Sequence, residues 1–195
     1  MTDTDADWRK RLRWEFRAAK RLFVLGVGNP GRADDGAGSL CVRLLQRKIA
    51  DTQARTSSCH GERRTLEEIE VLDGGGVPES ATGLIRKFRP THVLIVDAAA
   101  GGQDRGTIFF INKKKIPDDD PTTHRIPLAH LVRYLEESVG CRVILLGIEP
   151  RCMSQGKPMS PAVRKSAEIL ADALEEAYLR KPGHPARRRP RPEAL

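Results

Sequence analysis

Residues 22–40 read LFVLGVGNPGRADDGAGSL, and the change of pattern inside this stretch decides the fold. Leu22-Phe23-Val24-Leu25 is an unbroken apolar run, rich in β-formers and of the length of a buried strand. Gly26 and Gly28 end it. Asn29-Pro30-Gly31 is a turn in which Pro30 brings no N–H and Gly31 brings free dihedrals. Beyond Asp34 and Asp35 the apolar positions Leu40, Val42, Leu44, Leu45 and Ile49 return at helical spacing. Two carboxylates therefore stand where a strand hands over to a helix. In open α/β sheets that carboxyl edge is where ligands bind.

Working outward, the same grammar repeats. Ile69-Glu70-Val71-Leu72 reads as a second strand, ending at Asp73 and the run Gly74-Gly75-Gly76. Val93-Leu94-Ile95-Val96 is a third, ending at Asp97 and small residues, and residues 107–111 and 142–148 supply two more. If the strands run parallel, Asp35, Asp73 and Asp97 arrive at one edge. Helical patterns cover residues 7–20 (Leu12, Phe16, Ala19), 78–88 (Ala81, Leu84, Ile85 and Phe88 inward) and 126–135. A last one opens at Ser160-Pro161, with a serine N-cap and a first-turn proline, and runs to Tyr178. Alternating strands and helices predict a three-layer α/β/α fold around a five-stranded, mostly parallel twisted sheet of phosphorylase/hydrolase-like architecture. Periodicity does not give the strand order. The expected division is a basic N-terminal extension over 1–20, one α/β domain over 21–180, and a disordered Pro/Arg-rich tail over 181–195.

The chain has 195 residues, enough for one α/β domain with a sizeable core. Its net charge of +8 looks like a nucleic-acid signal until it is located. Residues 1–21 carry +3 and residues 180–195 carry +5, which leaves the body neutral, so nucleic acid is an unfavoured partner. No apolar run approaches the ~20 residues of a membrane span. The charged first 21 residues lack the apolar centre of a secretory signal. Cys41, Cys59, Cys141 and Cys152 contain no CxxC pair, which argues for free thiols and against a cysteine zinc site. A cytoplasmic, monomeric protein is expected.

Asp35, Asp97 and His124 form an oxygen, oxygen, nitrogen set, each just beyond a strand or before a helix. Brought together, they make a three-ligand site with an open position, suited to Zn²⁺, Ni²⁺ or another divalent ion. The plainer reading has Asp35 as an N-cap, Asp97 as a turn-capping residue and His124 as a loop residue. Gly26-x-Gly28-x-x-Gly31 matches a dinucleotide fingerprint, but Pro30 interrupts its turn and Asp34-Asp35 would repel a pyrophosphate. Cys59-His60 sits in a polar, turn-rich excursion and reads as solvent-exposed, and Cys41 reads as core rather than nucleophile.

The segments GVGNPGRADDGAG (26–38), VLDGG (71–75), LIVDA (94–98), TTHRIPL (122–128) and LLGIEP (145–150) resemble, in order and spacing, the NiFe hydrogenase maturation endopeptidases. The likeness is closest to the type that processes the large subunit of formate-hydrogenlyase-type hydrogenases, and it covers about residues 21–178. The resemblance implies an enzyme that removes a C-terminal extension from the hydrogenase large-subunit precursor once nickel is inserted, the nickel being borne by the substrate. By position, Asp35 rather than Asp34, with Asp97 and His124, resembles that family's metal-contacting residues, and Asp73 its additional acid. On that basis Asp34→Asn is expected to be milder than Asp35→Asn. The Asn-Pro-Gly turn also resembles that of peptidyl-tRNA hydrolases, but no histidine precedes His60 here. A non-enzymatic nickel carrier is the third reading, without the His-rich or Cys-rich tract expected of one. Deleting residues 182–195, which have no apolar face to dock, is expected to leave thermal stability and precursor cleavage unchanged. Salt-sensitive tRNA binding that vanished with the tail would favour the tRNA reading instead.

Overall fold

The computed structural model of the chain describes residues 5–57, 69–116 and 128–179. His124, the Cys59-His60 pair and the 181–195 tail lie outside the described residues. In chain order the elements are α1 (Asp5–Arg17), β1 (Leu22–Gly26), α2 (Ala37–Ser57), β2 (Ile69–Asp73), α3 (Thr82–Phe88), β3 (His92–Ala98), β4 (Ile108–Phe110), α4 (Leu128–Tyr134), β5 (Arg142–Ile148) and α5 (Pro161–Leu179).

The apolar run of β1 is buried along its whole length because it lies inside a five-stranded sheet of order β2-β1-β3-β5-β4. β1 pairs in parallel with β2 and β3, β3 pairs in parallel with β5, and only β4 runs antiparallel, on the edge. Because strand side chains alternate, β1 feeds two cores. Leu22 and Val24 join α1, α2 and α5 on one side. Phe23 and Leu25 join Ile85 of α3 and Leu131 and Leu135 of the α4 region on the other. This is the expected three-layer α/β/α arrangement, and a strand covered on both faces reads as a continuous hydrophobic run.

The basic N-terminal segment contributes to the core. Trp8, Leu12 and Phe16, spaced at four residues, bury one stripe of α1 in the same cluster as α5. Glu15, almost fully buried, accepts two hydrogen bonds from the Arg142 guanidinium, at 2.7 and 3.0 Å, which locks α1 to the start of β5. That pairing raises the Arg142 pKa further above its ordinary value.

One expected core residue is not in the core: Leu84 is 53% exposed. The chain makes a 3₁₀ turn over Pro78–Ala81 before α3, so Ala81 and Ile85 define the inward stripe and Leu84 falls on its outer flank. Among the described residues no helix is long and apolar enough to cross a membrane.

Phe16→Ala should lower stability by about 3–5 kcal/mol, because the aromatic ring leaves a cavity at the junction of α1 and the sheet. A urea denaturation midpoint that hardly moved would show that α1 is not part of the cooperative unit.

Candidate active site at the carboxyl edge

The parallel pairing of β2, β1 and β3 places their ends side by side. Gly26, the last residue of β1, is level with Asp73 on one side and Val96 on the other, and Asp97 is one residue further. After β1 the chain turns back on itself so tightly that a Cβ on Gly28 would lie 1.7 Å from the Asp35 carbonyl oxygen, and Gly28 has φ +123°. Only glycine fits there. Gly38 serves the next contact, since its missing Cβ would meet the carbonyl oxygens of Val96 and Val27 at 2.2 and 2.4 Å. Gly28, from the stretch that mimics a dinucleotide fingerprint, and Gly38 thus seat the start of α2 on the ends of β1 and β3.

The four acids near this edge have different surroundings. Asp34, in the 3₁₀ turn Ala33–Gly36, is fully buried. Its carboxylate accepts from the backbone N–H groups of Arg151 (2.8 Å), Cys152 (2.9 Å) and Ser160 (2.6 Å), and from the Ser160 hydroxyl (2.9 Å). Burial alone would raise its pKa; the backbone and hydroxyl donors outweigh that and hold it below the usual carboxylate range. The Ser160 hydroxyl, expected to cap α5, is turned to this carboxylate instead.

Asp35 is the next residue and also nearly buried. Its Oδ2 accepts from Asn29 N–H at 3.1 Å, and its other oxygen has no partner among the described residues. The turn that carries it packs against β3, where Asp97 is half-buried and its Oδ1 accepts from Ala98 N–H at 2.8 Å. Asp73 is held on the α2 side: Oδ1 accepts from the Ser39 hydroxyl (2.6 Å) and Gly75 N–H (3.1 Å), and Oδ2 is paired with Arg43 at 3.2 Å. By strand alternation Asp97 continues the Val93, Ile95 series, which faces α3 and α4, whereas Asp73 continues Ile69 and Val71 toward α2. Asp35 and Asp97 thus share the edge across adjoining segments, while Asp73 is engaged with α2. Among the described residues no three His, Cys, Asp or Glu side chains form a metal-binding group. The expected set includes His124, outside those residues.

Sequence reasoning passed over Glu149. Nearly buried at the end of β5, it accepts from Gly101 N–H (2.7 Å) and Gln103 N–H (3.1 Å), which fastens the loop after Asp97. Its position one residue beyond an apolar strand, like Asp73 and Asp97, was the available signal. Cys41 is fully buried and burial pushes its thiol pKa far up, in keeping with a core role.

The molecule is thus an α/β protein whose mostly parallel sheet brings carboxylates to the ends of its central strands. A family model for hydrogenase maturation proteases (HycI) matches residues 55–177. The hydrogenase 3 maturation protease of Escherichia coli K12 is 35% identical over 157 residues, covering 78% of this chain and 87% of its own. A crystal structure of a hydrogenase 3 maturation protease, 34% identical, superposes with a TM-score of 0.60 over 80% of this chain and 89% of that one. The NiFe hydrogenase maturation protease HycI from Thermococcus kodakarensis KOD1, 26% identical, gives 0.71 over 86% and 97%. This chain belongs to the hydrogenase maturation protease family and is a peptidase of that family.

Asp34→Asn should destabilise the protein by about 1.5–3 kcal/mol at neutral pH, since an amide cannot accept from all of these donors. The folded pKa of Asp34 is depressed, so its stabilising contribution is present above about pH 4 and is lost as pH falls through the folded value. Urea titrations should therefore show the gap between parent and variant closing in acid. A constant gap would place the effect elsewhere.

Proposed function

We propose that the protein removes the C-terminal extension of a NiFe hydrogenase large-subunit precursor, and that Asp35, Asp97 and His124 meet the nickel which the precursor carries. The observation that carries this reading is the placing of Asp35 and Asp97 beside the end of the central strand, in a chain of the hydrogenase maturation protease family. Hard carboxylate oxygens with one imidazole suit Ni²⁺, and equally Zn²⁺ or another divalent ion. Among the described residues Asp35 retains an oxygen without a partner, as a residue waiting for an incoming ligand should.

The precursor's nickel is recognised as part of the substrate, which brings the scissile peptide bond beside the two carboxylates. A water molecule adds to the carbonyl carbon, the C–N bond breaks, and the proton released by water passes to the departing amine. Asp35, Asp97 and His124 are the groups at hand to take and return that proton. Asp73, tied to Ser39, Gly75 and Arg43, supports the site by fixing the loop after β2 against α2. The protein acts in the cytoplasm, as a monomer, on a protein substrate rather than on nucleic acid.

Nickel-loaded and nickel-free precursor, incubated with the parent protein and weighed by mass spectrometry, test the proposal. Only loaded precursor should lose its extension, and Asp35→Asn should slow that loss by roughly 10²-fold or more while the fold survives. Cleavage by Asp35→Asn at the parental rate removes Asp35 from the site, and equal cleavage of nickel-free precursor removes nickel recognition. A defect cured by added nickel salt belongs to a carrier.

A further inference from the structure

At the opposite edge of the sheet lies a second feature that the peptidase reading does not use. Arg21, just before β1, and Gly83, Arg86, Lys87 and Arg89, on and after α3, line an open cavity of about 730 Å³. Among the described residues, four of the five that line it are cationic and none is acidic. All five are exposed. The side chains of Arg86, Lys87 and Arg89 have no hydrogen bond or ion pair among the described residues. Gathering like charges with no acid beside them among the described residues costs energy.

We propose that this cavity is a docking site for an acidic segment of a partner protein. Two details show a built surface rather than a chance cluster. Arg21 is held in place: its guanidinium donates to the Phe88 carbonyl and lies over the Phe88 ring, 4.6 Å from the centroid. Arg89 adopts φ +52°, ψ +59°, the left-handed conformation that closes a helix and normally falls to glycine. Favourable interaction with the helix dipole accounts for Arg86 and Lys87 in the last turn of α3. It does not account for an arginine in place of glycine one residue later. The strained residue is the one that sends a third guanidinium to the cavity.

The lining chemistry selects the partner. Guanidinium forks bind carboxylates through paired hydrogen bonds. Leu84, 53% exposed and adjacent to Gly83, offers an apolar contact beside the charges, as protein interfaces do. A nucleic-acid strand would want open aromatic faces for its bases. The ring beside Arg21, Phe88, is covered by that guanidinium on one side and packs edge-on with Phe23 at 5.8 Å. The site lies at the far edge from Asp35 and Asp97, so an occupant leaves the peptidase edge clear.

The test uses the full chain and a fluorescein-labelled peptide of four glutamates around one leucine, followed by fluorescence anisotropy at an ionic strength on the order of 50 mM. The parent should bind it, Arg86→Glu with Lys87→Glu should weaken binding by roughly tenfold or more, and Leu84→Ser should weaken it less. Circular dichroism and cleavage of nickel-loaded precursor should stay parental in these variants. Arg86→Gln with Lys87→Gln, free of new repulsion, serves if the charge-reversed protein does not fold. Equal affinity in parent and charge variants overturns the proposal. So does a homopolymer RNA that outcompetes the peptide and is lost with the same substitutions.

Discussion

The carboxylate of Asp34 holds together the carboxyl end of the sheet. It gathers three backbone N–H groups and one hydroxyl from residues 151–160, which leave β5, and fixes them to the turn that leaves β1. The tie is reciprocal, since Asp34 N–H donates to the Cys152 carbonyl and Gly156 N–H to that of Gly31. β1 and β5 are not neighbours; β3 lies between them. The clamp therefore spans the strand that carries Asp97 and determines how the segments around it are placed.

Two more carboxylates, the nearly buried Glu149 and the half-buried Asp73, do similar work. Glu149 collects two N–H groups from the loop after β3, and Asp73 collects one from the glycine run after β2 together with the Ser39 hydroxyl. Loops at the end of a parallel sheet leave backbone donors without ladder partners, and an unpaired buried donor costs about 1–3 kcal/mol. An ionised carboxylate with several lone pairs satisfies two or three at once, and those donors offset the penalty of burying its charge. Acids at this edge thus divide into Asp34, Asp73 and Glu149, which hold loops, and Asp35 and Asp97, whose carboxylates accept from Asn29 N–H and Ala98 N–H.

The opposite end follows a different logic. There α1 seals the core with Trp8, Leu12 and Phe16, and the Glu15–Arg142 pair fastens it. The remaining cations around Arg21 and the end of α3 stay uncompensated among the described residues. Rigid, carboxylate-braced loops on one edge and an open cationic surface on the other give the two ends distinct capacities for recognition.

The sequence by itself determined the elements and their class. Four-residue apolar runs ended by glycine or acid mark buried strands, and the 3.6-residue spacing after each marks the covering helices, because both patterns follow from local geometry. It also brought Asp35, Asp73 and Asp97 to one edge, since parallel strands must end on the same side. Only the tertiary structure decided the order β2-β1-β3-β5-β4 and the separate duties of the acids. Asp34 and Asp35 are adjacent in an all-acceptor pair, and nothing local distinguishes them. What does is the set of N–H groups more than a hundred residues away that packing brings to Asp34 and not to Asp35. The same holds for Leu84, whose exposure came from a 3₁₀ turn that shifted the helical phase, and for Glu149, whose donors come from another strand's loop.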